Sequence, residues 1–154
     1  MYIHYGGFWR RGLAFFIDIT ILYTLSTALF ATWITITHTP VESHEFFILS
    51  NTTPEIFIGV ILPYYGISVL LNMTYFTYFH GTIGQTPGKK LLGLKVIDIT
   101  GKEMTLGIAF LRWAGYIISK LVLFLGFIWI AFDRRKQGWH DKIAGTCVIR
   151  TKAD

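Results

Sequence analysis

Arg10-Arg11-Gly12-Leu13-Ala14-Phe15-Phe16-Ile17-Asp18 sets two arginines at the mouth of an apolar run and a carboxylate inside it. Apart from that aspartate the run is uncharged from Gly12 to Thr37, long enough to read as a membrane-spanning helix. An ionised side chain near the bilayer centre costs roughly 2.5–3.5 kcal/mol on insertion scales, so one that is kept is expected to face a partner or a polar cavity.

Working outward, 53% of the 154 residues are hydrophobic and 15% are charged, against about 25% charged in an ordinary soluble domain. The apolar residues are also concentrated. Residues 12–37 and 56–79 each exceed the roughly 20 needed to cross about 30 Å of hydrocarbon, and 107–132 forms a third block carrying Arg112 and Lys120. A single membrane domain over 1–154 is expected. The first block is too long for a secretory or twin-arginine signal, contains Asp18 and lacks a small-residue cleavage site, so it is expected to stay as an anchor. Cys147 is the only cysteine, which excludes an intrachain disulfide and a cysteine-based metal site; it is expected to be a small buried apolar side chain.

Basic residues set the expected topology. Arg10 and Arg11 precede the first block, and the link 38–55 has glutamates but no Lys or Arg. The link 80–112 carries Lys89, Lys90, Lys95, Lys102 and Arg112. The positive-inside rule then places the N-terminus and the second link in the cytoplasm. A third crossing would export Arg134, Arg135, Lys136, Lys142, Arg150 and Lys152 and leave Lys120 near the bilayer centre. The 26 residues of 107–132 are too few for two crossings, which need about 40. An interfacial helix, or a re-entrant pair folded at Leu125-Gly126, satisfies both length and charge; Arg112, Tyr116, Ser119 and Lys120 would form its polar edge. The fold expected is therefore a mainly α membrane protein with two transmembrane helices, a third interfacial or re-entrant segment and a small cytoplasmic β-element. Strands are expected near 93–100, closed by a turn at Thr100-Gly101-Lys102, and near 146–150. Their pairing would put the C-terminus on the cytoplasmic side.

Gly81-Thr82-Ile83-Gly84-Gln85-Thr86-Pro87-Gly88-Lys89-Lys90 fails as a phosphate loop, since three residues rather than four separate the last two glycines and no hydroxyl follows Lys89. It reads as a tight connection with Lys89 and Lys90 near anionic lipid head groups.

Four segments carry a family resemblance: Gly7-Phe8-Trp9-Arg10-Arg11 through Ile17-Asp18; Gly84-Gln85-Thr86-Pro87-Gly88-Lys89; Gly93-Leu94-Lys95-Val96-Ile97-Asp98; and Gly138-Trp139-His140-Asp141-Lys142-Ile143-Ala144-Gly145-Thr146. In that order, over nearly the whole chain, they resemble the RDD family of bacterial membrane proteins, named for one arginine and two aspartates. The resemblance implies Arg11 and Asp18 for the first two and Asp141 for the third, with Asp133 the other candidate. It implies a proposed role in transport, with no agreed substrate.

Arg11 and Asp18 share a helix face but stand about 10.5 Å apart along the axis, too far for a direct salt bridge. Ala14, Ala28 and Thr32 extend that face, and Gly59, Pro63 and Gly66 of the second block offer a matching close surface. Arg112 or Lys120 is expected to reach Asp18, and Asp141 to neutralise Arg11. His38, Glu42, His44 and Glu45 are read as a solvated loop rather than a metal site, and His140-Asp141 as structural, since no nucleophile accompanies it.

Two function classes remain open, the first favoured and the second its alternative. One is a cation- or proton-linked transporter or channel component, with Asp18 as the intramembrane ion site, a monovalent cation or proton as its partner, and a homo-oligomer completing the path. The other is a non-transporting scaffold or accessory subunit that binds a protein or lipid partner. Neither is an enzyme or needs a cofactor, and no nucleic-acid motif is present. Both sit in the bacterial inner membrane as multi-pass proteins with cytoplasmic termini.

Overall fold

The computed structural model describes residues 4–37 and 57–151. Helix α1 (Phe8–Thr37) begins four residues before the expected span, so both arginines lie in its first turns. A π-helical turn (Phe57–Ile61) leads into α2 (Leu62–Thr82). Both helices are long and apolar enough to cross a membrane. Many of their hydroxyls are satisfied internally: Thr24, Thr27, Thr32, Thr35 and Thr82 each donate to the carbonyl four residues back, which removes a free donor from hydrocarbon, whereas the buried Ser68 and Thr77 hydroxyls of α2 find no partner among the described residues.

The chain divides into two compact units, Thr20–Asn72 and Met1–Ile19 with Met73–Asp154. In the first, Phe30 stacks on Trp33 at 5.8 Å and meets Tyr64 edge-on at 5.1 Å. The expected small-residue surface does not form on the second helix. A β-carbon added at Gly59 or Gly66 would meet nothing within 4 Å.

The second unit holds the remaining elements: α3 (Pro87–Leu91), β1 (Leu94–Asp98), α4 (Leu106–Leu121), α5 (Leu125–Phe132), α6 (Trp139–Ile143) and β2 (Thr146–Arg150). The two expected strands pair antiparallel, Leu94 opposite Arg150 and Asp98 opposite Thr146. Gly101, at φ +83°, makes the turn after β1. A third segment joins the sheet that was not read from sequence: Gly6 donates to Val148 and Arg150 to His4, each at 2.8 Å, with Tyr5 bridging Ile149. Ala14, Leu94, Val96, Met104, Ala109 and Val148 form the core beneath it.

The third apolar block is a helix pair, α4 and α5, bent by 100°. The bend lies at Val122–Phe124 rather than at Leu125-Gly126, with Leu123 and Phe124 in the left-handed region at φ +46° and +60°. Gly126 serves another purpose. Its missing side chain lets α5 approach α4, since a β-carbon there would stand 2.6 Å from Ser119 Oγ. The polar edge of α4 also faces the opposite way from an interfacial helix. Arg112, Tyr116 and Ser119 are buried, while Lys120, the fourth member of the expected edge, is exposed together with Leu111, Ile117, Ile118 and Leu121. Such inverted amphipathicity suits a helix whose outside is lipid and whose inside is polar protein.

Candidate functional site

Two buried carboxylates organise the second unit, and different parts of the chain reach each of them. Asp18, with no exposed surface, accepts hydrogen bonds at Oδ1 from the Tyr75 hydroxyl and the Gly88 amide, each at 2.8 Å, and at Oδ2 from Thr86 Oγ1 at 2.5 Å. The last two come from the start of α3. Thr86 is its N-cap and Pro87 its first residue, where a missing N–H costs nothing. The free amides of that first turn would be orphaned in a buried setting, and Asp18 satisfies one of them. The Thr-Pro-Gly-Lys segment thus binds an anion after all, but the anion is the protein's own carboxylate. Gly88 is required by closeness: a β-carbon there would lie 2.2 Å from the Ala14 carbonyl oxygen and 2.9 Å from Asp18 Oδ1. The close approach at Ala14 is therefore made by α3.

Asp141, equally buried, sits in the first turn of α6 and reaches back to accept from the Gly138 amide at 2.7 Å, half of a capping box. Arg11 Nη2 meets its Oδ2 at 2.5 Å, and Arg112 pairs with Oδ1. Arg11 also donates to the Lys136 carbonyl, and Arg112 to Thr146 Oγ1, each at 2.5 Å. Burial pushes the Asp141 carboxyl up, but the two guanidinium groups outweigh it and hold it well below the usual carboxylate range.

His140, 1% exposed, lies with Nε2 3.2 Å from Arg11 Nη2 and Nδ1 3.4 Å from Ser119 Oγ. A guanidinium only donates, so Nε2 must accept and the ring carries its proton on Nδ1. Burial keeps this histidine well below its ordinary pKa, against the opposing pull of Asp141. The ring packs on Tyr116 and Phe127 at 4.6 and 4.9 Å, and Gly115 lets α6 approach α4, since a β-carbon there would stand 2.8 Å from His140 Cα.

The sequence candidates sort as follows. Arg11 meets Asp141, and Arg112 joins the same carboxylate, so neither Arg112 nor Lys120 reaches Asp18. Lys120 instead lies over the Phe15 ring at 5.7 Å. The reason is local: neutral donors from α2 and α3 already fill both oxygens of Asp18. Asp133 pairs with Lys142 at 2.7 Å and accepts from the Arg135 and Gln137 amides, which closes the loop before α6. Cys147 is buried. His38, Glu42, His44 and Glu45 lie outside the described residues. Among those described, no cluster of three His, Cys, Asp or Glu side chains could hold a metal ion.

Sequence reasoning missed Tyr75, Thr86 and Gly88 as the partners of Asp18. A hydroxyl residue followed by proline is a helix-start signal that would have found two of them. It also placed Lys89 at the head groups, whereas Lys89 is 4% exposed and only Lys90 faces outward. Burial lowers the Lys89 pKa. His80 is fully buried against Phe76, with neither ring nitrogen hydrogen-bonded among the described residues.

Similarity to known proteins agrees with this architecture. The chain is 33% identical to the "Uncharacterized protein YxaI" of Bacillus subtilis, covering 93% of this chain and 95% of that one. It is 29% identical to the "Uncharacterized membrane protein YteJ" of the same organism, over 96% and 82%. A "Proline-rich antigen homolog" of Mycobacterium tuberculosis is 33% identical over 47% of this chain and 30% of its own length. No solved structure matches. The RDD family model aligns with residues 5–145, a range that includes both candidate membrane-spanning helices, the bent helix pair and both buried carboxylates, and the chain belongs to the RDD family of membrane proteins.

Proposed function

We propose that this is a non-catalytic, multi-pass inner-membrane module of the scaffold or accessory kind. Two spans hold a rigid, basic unit at the cytoplasmic face, where a lipid or protein partner binds. The observation that carries this reading is the surround of Asp18. Its oxygens take three hydrogen bonds from neutral donors, and the Gly88 amide cannot turn round to accept a cation. A carboxylate so enclosed suits a tether between α1 and α3 better than a site that loads and releases ions.

Topology rests on a second observation. The segment His4–Gly6 and β1 both bond to β2, so the N-terminal segment, the α2–α4 link and the C-terminal strand share one side of the membrane. The basic residues of those segments favour the cytoplasm as that side.

The competing reading is a cation- or proton-linked carrier or channel subunit that uses Asp18 and completes its path by homo-oligomerisation. Proteoliposomes decide between them. We expect sodium, potassium and proton fluxes equal to those of protein-free vesicles. Flux above that baseline, abolished in a folded Asp18→Asn variant, refutes the scaffold reading. In a Cys147→Ser background, a cysteine introduced at Arg150 should resist an impermeant thiol reagent applied to intact cells, and its labelling refutes the orientation.

A further inference from the structure

Arg11, Lys89 and Arg112 all contribute to the wall of one cavity of about 300 Å³ inside the second unit. Against these three cationic groups stand two buried carboxylates. Asp141 is shared by the arginines, and Asp18 is held by its neutral donors, so one positive charge is in surplus. Lys89 is the one of the three that forms no ion pair with either carboxylate. Although 4% exposed, its ammonium makes no hydrogen bond or ion pair with any described residue; it lies 5.9 Å from the centre of the Phe76 ring, with Tyr116 and Asp18 attracting it at longer range. Three strong donors on a buried cation are costly to leave unused, and an anion entering the cavity would satisfy them.

Apart from His140, the rest of the wall is aromatic and aliphatic, with Phe15, Phe127 and Ile130 among it. The lining reaches the surface at Gly12 and at Phe124, which is 57% exposed. Around that mouth the surface is apolar: Leu121 and Leu123 are 77% and 83% exposed. The mouth is formed by the bend between α4 and α5, where two consecutive side-chain-bearing residues occupy the left-handed region, a conformation that costs energy and tends to persist where a ligand contact needs it. A cavity with a cationic floor, a largely apolar wall and an opening ringed by exposed apolar side chains matches a molecule that has an anionic head and an alkyl chain.

We propose that this cavity binds the head of an anionic amphiphile drawn from the membrane, a phosphate monoester or carboxylate seated on Lys89 with its chain leaving past Phe124. This goes beyond a basic face attracted to anionic lipid, because it names an internal, saturable site. It stands whether or not the protein moves ions.

The test uses the full chain in dodecyl maltoside micelles. Thermal unfolding is followed during titration with lysophosphatidate, with lysophosphatidylcholine of the same chain length, and with inorganic phosphate. Lysophosphatidate should raise the midpoint saturably, and the other two should not. Lys89→Met keeps the length of the side chain and removes the charge. Without ligand it should unfold at or above the wild-type midpoint, and its affinity for lysophosphatidate should fall about tenfold or more. Lys90→Met, at the exposed neighbour, should retain the wild-type affinity. If Lys89→Met fails to fold, Lys89→Gln serves for the same comparison. Equal stabilisation by lysophosphatidylcholine or by phosphate alone overturns the amphiphile, and an unchanged affinity in the Lys89 variant overturns the site.

Discussion

Replacing Asp18 separates a structural tether from a paired charge. Asp18→Ala leaves three donors facing an empty pocket. The Tyr75 and Thr86 hydroxyls can rotate toward other acceptors, but the Gly88 amide is fixed at the start of α3 and must stay unsatisfied at about 1–3 kcal/mol. Two charge-assisted bonds, each contributing about 1.5–3 kcal/mol, are lost as well, partly offset because an ionised carboxylate no longer has to be buried. The net expectation is a loss of about 3–5 kcal/mol for alanine. Asparagine keeps one carbonyl oxygen where Tyr75 and Gly88 converge and turns its amide toward Thr86, whose hydroxyl can accept, so about 1–2 kcal/mol should be lost. Thermal or denaturant unfolding of the purified protein in detergent, with wild type and both variants in parallel, reads the difference. Losses below about 0.5 kcal/mol in both variants would show that the Asp18 contacts do not hold α3 to α1. A larger loss for asparagine than for alanine would refute the donor count on which the estimate rests.

Two further outcomes follow from the same geometry. Gly88→Ala should destabilise the protein by about 3 kcal/mol or more, because its β-carbon meets the backbone carbonyl of Ala14 and not a side chain that could move aside; wild-type unfolding in that variant would refute the close packing of α3 on α1. Stability should also fall as the medium is acidified below about pH 6.5, because unfolded His140 takes up a proton that the buried, neutral ring does not. The depressed Asp141 carboxyl adds its own loss only below about pH 4, as pH falls toward its folded value. Between pH 6 and 5 the histidine contributes at most about 1.4 kcal/mol per pH unit. His140→Gln should flatten the curve by that share, and an unchanged slope would show that His140 does not sit neutral in the folded protein.

The architecture could be read from the sequence because its causes are one-dimensional. Hydrocarbon thickness sets the length of a span, which identified 12–37 and 56–79 and denied two crossings to 107–132. Alternation of side chains located the first strand, and a β-prone run after Gly145 the second. Lys120 and the six basic residues beyond the third block argued against a crossing there; the block is an apolar helix pair bent by 100°, a form that fits a re-entrant loop or a broken span. The pairing of Arg11 with Asp141 was accessible too, since few acidic groups were available to neutralise an arginine at the head of an apolar helix.

What only the tertiary structure decided is who meets whom across the fold. Asp18 could have been answered by a cation, and composition offered Arg112 and Lys120. It is answered by a hydroxyl from α2 and by the first turn of α3, because a short helix start buried against α1 has amides that nothing else satisfies. Periodicity found the polar stripe of α4 but not its direction, since the same pattern serves a helix with water outside and one with lipid outside. The glycines show the same division. Gly59, Gly66, Gly88, Gly115 and Gly126 are indistinguishable by type, yet the first two meet nothing and the other three sit where a β-carbon would strike a neighbouring segment. Lys89 and Lys90 are adjacent and chemically identical; the rotation of about 100° between neighbouring helix positions buries the first over a cavity and exposes the second, and that difference exists only once α1, α3 and α4 have packed together.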